Sequence, residues 1–452
     1  MPRFASMISV LILALALGVV TGHGQTGSAS PAPKAISPDV NVSQPQTASS
    51  PAAVYTLTPE RRAKALAYSH LLYALYFFGA LLSIAIYYLI WRTRIAATFR
   101  DWAQKISPRL FVQCLVFVPL FLVTARLLKF PFSFYSGYVL EHRFGLSTQG
   151  FASWLSDWGK ELGITAAIGV PVVWVFYTVV RRSPRRWWFY FWLASIPLVL
   201  SFILLEPYVV DPLFYKFTPL QDTQPALVGR IEATLHHAGI SVPPQRVFEM
   251  DASTRTRELD AYVAGLGSSK RVVVWDTTLK ALGPDELLLV LGHEAGHYAL
   301  DHIPKEFALD EIVALVFFFL AFIAVDKWIK PAASRREFEG VGDLALLPLL
   351  LIVLTLMVLL SDPIVNGISR HYEHQADQFG LEVAYGVVHD PNAAEVHSLQ
   401  VLGDVDLSDP DPSPFIKFWL YTHPPLDDRI RFAATYKPWA EGKPMQLLPR
   451  LH

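Results

Sequence analysis

Two histidines and a glutamate stand close together in the stretch LGHEAGHYALDH, residues 291–302. His293 and His297 are four residues apart, so on a helix both imidazoles lie on one face and can converge on one metal ion. Glu294 is turned about 100° from His293 around the helix axis, near enough to reach a water on that ion. Zn²⁺ lowers the pKa of a bound water to roughly 7, and a neighbouring carboxylate can then accept the proton. The spacing predicts a zinc site with His293 and His297 as ligands and Glu294 as general base; the alternative is two ordinary histidines on a membrane-surface helix.

The residues around this motif predict the helix that the spacing needs. The preceding PDELLLVL places acidic residues at a helix N-terminus and apolar residues in a run suited to a buried helix. Gly292 and Gly296 each lower helix propensity by about 1 kcal/mol relative to Ala, but small residues four apart allow another backbone to approach closely. His302 lies off the metal-facing line and is predicted to be an interfacial or core residue.

A catalytic zinc also needs a third protein ligand and an open coordination position. The stretch DPIVNGISRHYEHQADQFG, residues 362–380, offers Glu373. Asp377 follows one turn later, and such a carboxylate can orient a zinc-bound histidine through its second ring nitrogen. His371 and His374 are rival candidates for the ligand, and are otherwise helix-surface or substrate-side residues. We expect one Zn²⁺ per chain.

The chain that must position these residues has the composition of a membrane protein. Its 452 residues are 52% hydrophobic and 17% charged, with a net charge of -1. This is too apolar for an ordinary soluble protein, and the charge balance argues against a nucleic-acid partner. The one cysteine, Cys114, lies in an apolar run, which excludes a disulfide framework and a cysteine-based zinc site.

Six apolar runs approach or reach the length that a bilayer demands. They are residues 65–91, 110–125, 162–180, 187–205, 312–325 and 344–361. The run 312–325 is short and spans only if its helix continues past it. A hairpin of this run with 344–361 would bring both zinc-binding stretches to the same side of the membrane.

The N-terminus and the loops give the predicted topology. Residues 1–22 resemble a secretory signal peptide, with an uncleaved anchor as the alternative. Basic residues concentrate in the loops 92–109, 181–186 and 327–336, which predicts that these loops are cytoplasmic. The catalytic domain would then face the extracytoplasmic side of the cell (inner) membrane.

Several stretches carry a resemblance to a known family. They are DPLFYKFTPL (211–220), DAYVAGLGSSKRVVVWDTTL (260–279), LGHEAGHYALDH (291–302) and NGISRHYEHQADQFG (366–380), with THPPLDDRI (422–430) and EHRFGLSTQ (141–149) beside them. On these residues the chain resembles the integral-membrane zinc metallopeptidases that include the CAAX prenyl proteases, as a bacterial-like member. The resemblance implies a set of site residues: His293, His297 and Glu373 as zinc ligands, Glu294 as general base, Asp377 as the orienting carboxylate, His423 as a donor to the substrate or the oxyanion, and Asn366 and Arg370 as active-site supports.

One departure from the family concerns the strand that would hold the substrate. Where the CAAX proteases usually have Asn-Ala-Tyr, this chain has Asp260-Ala261-Tyr262. A carboxylate accepts hydrogen bonds but cannot donate them as an amide does, so substrate register or preference can differ.

These observations predict the fold and the domains. We expect a mainly α polytopic membrane protein with about six transmembrane helices, an N-terminal signal segment and an α+β zincin-like peptidase domain. The predicted domains are a signal peptide or anchor (1–22), a disordered linker (23–64), transmembrane helices 1 to 4 (65–207), a zinc peptidase domain (208–308) with strands at 246–250 and 270–279, a transmembrane hairpin (309–361) and a C-terminal part that completes the zinc site (362–452).

The predicted function is that of a zinc-dependent, CAAX prenyl protease-like membrane endopeptidase that hydrolyses extended peptides. Its partners would be peptide or protein substrates, with prenylated ones as a candidate class, and membrane lipid. One alternative is a quality-control metallopeptidase of membrane proteins. Another is a non-catalytic transporter or metal-binding scaffold, whose mark would be charged or Gly/Pro-broken residues inside the spans.

Overall fold

The computed structural model describes residues 54–265, 267–329 and 340–448. The predicted signal segment, most of the predicted linker and most of the basic loop 327–336 lie outside the described residues. The helices are α1 (Pro59–Arg92), α2 (Ile95–Ile106), α3 (Leu110–Phe134), α4 (Phe151–Arg182), α5 (Trp187–Leu205), α6 (Pro225–His237), α7 (Asp276–Ala281), α8 (Pro284–Ala299), α9 (His302–Ala324), α10 (Leu347–Ala384), α11 (Pro391–Val405), α12 (Pro414–Leu420) and α13 (Leu426–Thr435). The strands are β1 (Phe217–Pro219), β2 (Val247–Met250), β3 (Ala261–Ala264) and β4 (Arg271–Trp275).

Within the described part, six helices are long and apolar enough to cross a membrane. They are α1, α3, α4, α5, α9 and α10, of which α3 and α5 continue to Arg143 and Phe214 through single π-helical turns. The prediction of about six spans in a mainly helical membrane protein is therefore confirmed. The short run 312–325 lies in a helix that begins ten residues earlier, at His302, which provides the extra length it needs.

Three predicted domain boundaries fall inside helices. Residue 309 falls inside α9 and residue 362 inside α10, because backbone hydrogen bonding continues where hydropathy drops. The linker predicted to end at 64 ends earlier, because α1 begins at Pro59 and the side chain of Tyr55 is already buried. The backbone nitrogen of Tyr55 donates to Oδ1 of Asp427 at 3.1 Å.

A four-stranded sheet with the order β1-β2-β4-β3 underlies the peptidase domain. β2 and β4 are parallel, and the two outer strands are antiparallel to their neighbours. Val272 and Val274 of β4 pack with Leu288 and Leu291 of α8 in one buried apolar core. β3 is an edge strand, and its strand partner among the described residues is β4.

Candidate active site

Helix α8 carries the two-histidine motif and is specified by its own residues. Pro284 occupies the first turn, where a missing N–H is not needed, and Asp285 and Glu286 complement the positive end of the helix dipole. His293, Glu294 and His297 are all buried. The motif thus lies on a helix, as the spacing predicts.

The close packing of α8 on α10 depends on glycine. A Cβ added at Gly380 of α10 would lie 3.0 Å from the backbone nitrogen of His293, and one added at Gly296 would lie 3.2 Å from Cα of Ala376. Both distances are shorter than ordinary carbon contacts. The small residues let the two backbones approach, which brings Glu373 of α10 to the histidines of α8.

The nitrogen and oxygen atoms that could bind a metal converge at this contact. Nε2 of His293 and Nε2 of His297 are 3.3 Å apart, and they lie 3.1 Å and 3.7 Å from Oε2 of Glu373. Four ligands about 2.1 Å from a tetrahedral Zn²⁺ would be about 3.4 Å from one another. The three side chains therefore have the spacing of one face of such a site.

His423 enters the same space from the chain segment after α12. Its Nε2 lies 2.9 Å from Oε2 of Glu373, and its side chain is about a third exposed, at 30%. Among described residues, His293, Glu373 and His423 also form a group whose ligand atoms all lie within 4.8 Å of one another. We call His293, His297, Glu373 and His423 the metal-site cluster. Distances alone leave His297 and His423 as competitors for the third position.

The buried carboxylate of Glu373 tests whether a cation fits. Neither of its oxygens accepts a hydrogen bond from a described residue, although three imidazole nitrogens lie within 3.7 Å of Oε2. A buried carboxylate without hydrogen bonds is strongly unfavourable, and a cation shared with the imidazoles would satisfy it. The donor set fits a zinc ion.

A carboxylate and an arginine stand behind His293. Asp377 Oδ1 lies 2.8 Å from His293 Nδ1, as expected for a carboxylate that orients a ligand histidine. Arg429 of α13 donates to both oxygens of Asp377, from Nε at 2.9 Å and from Nη2 at 2.6 Å. Sequence reasoning missed Arg429, although it lies in the quoted stretch THPPLDDRI.

The charges behind Asp377 are balanced. Burial by itself lowers the pKa of Arg429, but Asp377 and the nearby Glu395 outweigh burial and raise that pKa above its usual range. Burial raises the pKa of Glu395 to about 7, and the Asp377 carboxylate adds to this rise. Arg429 is therefore a permanent cation beside Asp377.

His297 also has a partner at its second ring nitrogen. Nδ1 of His302 lies 3.2 Å from Nδ1 of His297, and Nε2 of His302 lies 3.1 Å from Oε1 of Gln375. His302 is fully buried, which agrees with the prediction of a core residue. The rival ligands His371 and His374 are exposed; His371 lies against Tyr372, and His374 packs on Phe432.

Asn366 and Arg370 contact the segment that leads to His423 rather than the cluster itself. Asn366 Nδ2 donates to the carbonyl of Trp419 at 2.7 Å. Arg370 Nη1 donates to the carbonyl of Lys417 at 3.0 Å and also to that of Tyr421. These carbonyls belong to the end of α12 and the residue after it, so both side chains hold the segment directly before His423.

The proposed substrate strand lies beside the motif helix. Ala261 and Tyr262 are in edge strand β3, and Asp260 directly precedes it. The backbone of Asp260 is fixed by Thr278, whose Oγ1 accepts from its N–H at 2.7 Å and donates to its carbonyl at 2.8 Å. The hydroxyl of Tyr298 in α8 lies 3.2 Å from the carbonyl oxygen of Val263 and 3.1 Å from that of Gly265.

Comparison with known proteins gives two matching family models. Residues 221–437 match peptidase family M48, and residues 41–216 match the CAAX prenyl protease N-terminal domain with five membrane helices. A metalloprotease of Bacillus subtilis (strain 168) without an assigned role, YhfN, is 32% identical over 83% of this chain and 86% of its own. CAAX prenyl protease 1 of Saccharomyces cerevisiae is 27% identical over 70% of this chain and 71% of its own.

A solved structure supports the same fold. The crystal structure of S. mikatae Ste24p has a TM-score of 0.71 to this chain at 22% sequence identity, and the match covers 96% of each chain. The two chains therefore share one fold.

Proposed function

The chain belongs to peptidase family M48 and is an integral-membrane metalloendopeptidase that acts on peptide or protein substrates, and from that premise we propose that its metal is one Zn²⁺ held by His293, His297 and Glu373. The observation that carries this proposal is the convergence of two imidazoles on the buried Glu373, which has no hydrogen bond from the described residues. His297 is preferred to His423 as the third ligand because it is buried and because its other nitrogen faces His302, whereas His423 is partly exposed to an arriving substrate.

The protein residues would then divide the chemistry. A bound zinc ion supplies polarisation of the scissile carbonyl and a lowered pKa for water. Glu294 accepts a proton from the attacking water on a carboxylate oxygen and returns it to the leaving amine nitrogen. Nε2 of His423 donates to the oxygen that gains negative charge, and Asp377 and Arg429 keep the His293 ring in its orientation.

Asn366 and Arg370 have a specific role in this proposal. They lie on the same face of α10 as Glu373 and Asp377, because the spacings 366, 370, 373 and 377 repeat with the helical period. Their donors bind the carbonyls at the end of α12, where a cation also complements the negative end of the helix. We assign them as positioning residues for His423.

An extended substrate would add to the outer edge of β3, opposite β4, near Asp260-Ala261-Tyr262. Main-chain hydrogen bonds along an edge strand hold a peptide with little demand on its side chains. Tyr298 contacts the carbonyls of Val263 and Gly265, so β3 is held directly against the helix that carries the general base. This contact places the proposed substrate strand against the helix that carries His293 and His297.

The substrate class in the proposal is a C-terminal CAAX-type peptide, prenylated or bare. It comes from the relatives named CAAX prenyl protease 1, which cover most of this chain.

The site would face the extracytoplasmic side of the cell membrane. Arg181 donates to the carbonyl of Gly342 at 3.0 Å and Arg100 pairs with Asp343, so the two basic loops 92–109 and 181–186 lie at the same end of the helices.

The test is cleavage of a matched peptide pair, one farnesylated at a C-terminal CAAX cysteine and one bare. Detergent-purified wild type and Glu294→Ala would both be assayed for zinc and for cleavage. We expect wild type to cut and Glu294→Ala to bind zinc without cutting. Glu286→Ala is the matched control, since Glu286 lies on the same helix but contacts His397 instead of the cluster.

The outcomes separate the parts of the proposal. Equal activity of wild type and Glu294→Ala would contradict the general-base assignment, and wild type without zinc would contradict the metal. The ratio between the two peptides decides between prenyl-directed processing and general proteolysis of membrane proteins. Labelling of introduced cysteines on either face of intact cells tests the side of the membrane.

A further inference from the structure

Two basic residues lie buried among the membrane-spanning helices, outside the metal-site cluster. Arg126 and Lys129 are both on α3, three residues apart, and they are 3% and 6% exposed. A charged side chain within a membrane is costly unless a partner compensates it, so such residues generally bind a counter-ion, a ligand or each other. Two like charges one turn apart repel each other and cannot be mutual partners.

The described residues balance the charge of Arg126 and satisfy its hydrogen-bond donors only in part. Its Nη1 lies 3.5 Å from Oε2 of Glu161 on α4, a carboxylate whose side chain is 41% exposed. Its Nη2 lies 3.5 Å from the hydroxyl of Thr165, at the limit of a hydrogen bond. Its Nε is buried and has no hydrogen-bond partner among the described residues. A guanidinium normally satisfies its donors when buried, so Arg126 keeps a donor that the described residues leave unsatisfied.

Lys129 has no carboxylate partner in the part of the chain that the structure describes. Nζ donates to the hydroxyl of Ser83 on α1 at 2.9 Å, and Ser83 in turn donates to the carbonyl of Gly79 at 2.8 Å. The nearest aromatic face is Phe132, with 5.7 Å from Nζ to the ring centroid. An ammonium can donate three hydrogen bonds, and a single neutral hydroxyl does not balance its charge.

Both basic groups line one cleft. Arg126, Lys129, Ser83 and Tyr87 face it together with apolar side chains of α1 and α3, and the space that they enclose is about 10 Å³. That is room for about one water-sized group, so a single oxygen atom of an anionic group can enter it from outside and a whole molecule cannot. Guanidinium and ammonium groups are the donors that proteins use for phosphate and carboxylate oxygens.

The surface beside the cleft is apolar. The same two helices carry large exposed apolar side chains close in sequence to the cleft residues, among them Phe78, Leu81, Leu127 and Leu128. Such side chains on spanning helices are suited to contact hydrocarbon chains. An amphiphile with an anionic head therefore fits better than a free inorganic anion or a polar peptide.

We propose that Arg126 and Lys129 bind the anionic headgroup of a membrane lipid, whose acyl chains lie on the apolar surfaces of α1 and α3. A headgroup oxygen that enters the cleft would supply the negative charge that Glu161 alone does not provide. The site is independent of the zinc chemistry and does not rest on the proposed substrate.

The test uses the full-length protein in nanodiscs of phosphatidylcholine, alone or mixed with phosphatidylglycerol, and measures lipid retained by native mass spectrometry and the unfolding temperature. We expect wild type to retain phosphatidylglycerol in preference to phosphatidylcholine by roughly tenfold or more, and to unfold at a higher temperature in the mixed nanodiscs. Both effects should disappear in the double variant Arg126→Gln/Lys129→Gln. The control Lys105→Gln/Arg109→Gln removes two exposed charges near the start of α3 and should behave as wild type.

Three results would overturn the inference. The first is wild type without a preference for the anionic lipid, a result that stands even if the double variant does not fold. The second is an equal loss of preference in the control, which would reduce the effect to general surface charge. The third is full stabilisation by inorganic phosphate in phosphatidylcholine nanodiscs, which would replace the lipid by a free anion. The single variant Lys129→Gln gives a milder change if the double variant is unstable.

Discussion

Helices α8 and α10 both contribute to the metal-site cluster, but one belongs to the peptidase domain and the other crosses the membrane. α8 has 16 residues, begins at Pro284 and packs on the sheet. α10 has 38 residues and runs without a break from the apolar segment at Leu347 to Glu373 and Asp377. The comparison shows that the site combines a local motif, His293 and His297 on α8, with Glu373, whose position is set by a membrane helix.

The largest expected effect tests whether α10 contributes as much as α8. We expect Glu373→Ala to lose bound zinc and to lower peptide cleavage by several orders of magnitude, as His293→Ala should, because either change removes a ligand. Metal content by mass spectrometry and initial cleavage rates measure both. His374→Ala is the control, because its exposed ring packs on Phe432. If Glu373→Ala kept the zinc content of wild type, Glu373 would not be a ligand, and the metal would be assigned to the histidines of α8 and His423.

The next effect concerns the contact from α13 that supports both helices. We expect Arg429→Met to weaken zinc affinity about 10- to 100-fold, because Asp377 loses its bidentate partner and holds His293 less well. Competition with a chelator measures the affinity. Arg429→Lys should recover part of it. Arg431→Met removes an exposed arginine of the same helix and should leave zinc affinity unchanged; an equal loss there would point to α13 as a whole.

A smaller effect tests the glycine contact between the two helices. Gly380→Ala adds a Cβ 3.0 Å from the backbone of His293, and we expect overpacking to destabilise the protein by about 1–3 kcal/mol. Gly159→Ala in α4 is the control, since nothing lies within 4 Å of its Cβ position, and it should gain up to about 1 kcal/mol from helix propensity. Denaturation in detergent compares them. Equal behaviour would show that the approach of the backbones tolerates a methyl group.

The smallest effect concerns the contact of α8 with the edge strand. Tyr298→Phe removes the hydroxyl beside the carbonyls of Val263 and Gly265. We expect substrate binding to weaken by about 0.5–1.5 kcal/mol, which would be measured as a few-fold rise in KM with kcat retained. Tyr385→Phe, on a tyrosine stacked against Trp439, is the control. A fall in kcat with unchanged KM would assign Tyr298 to the chemistry instead of the strand.

The contribution of α8 could be predicted from local spacing, whereas that of α10 could be predicted only in part. His293, Glu294 and His297 lie within five residues, and one helical turn fixes their relation. Glu373 and Asp377 were predicted from their four-residue spacing and from the family resemblance. Their approach to the histidines of α8 depends on the close packing of the two helices at Gly380. No spacing rule in the sequence connects Gly380 to His293.

The contacts that were missed join distant parts of the chain. Arg429 binds Asp377 across 52 residues of sequence, and no local sequence pattern predicts that these two residues are partners. The predicted domain boundary at 361/362 falls inside α10 for a related reason: hydropathy reports where a chain leaves an apolar environment, and the hydrogen bonds of α10 continue beyond that point. In the same way, Arg126 and Lys129 follow the apolar run 110–125, and only the structure shows that they are buried.

The length of α10 beyond its apolar run sets the height of Glu373 above the end of that run. Glu373 lies twelve residues beyond Ser361, where the apolar run ends, and at 1.5 Å per residue this is about 18 Å along the helix axis. Because α10 remains helical through this segment, the helix sets the height of the proposed metal site above the end of the apolar run. A peptide anchored in the bilayer must therefore present its scissile bond at that height, which makes the length of chain between anchor and bond a criterion of selection.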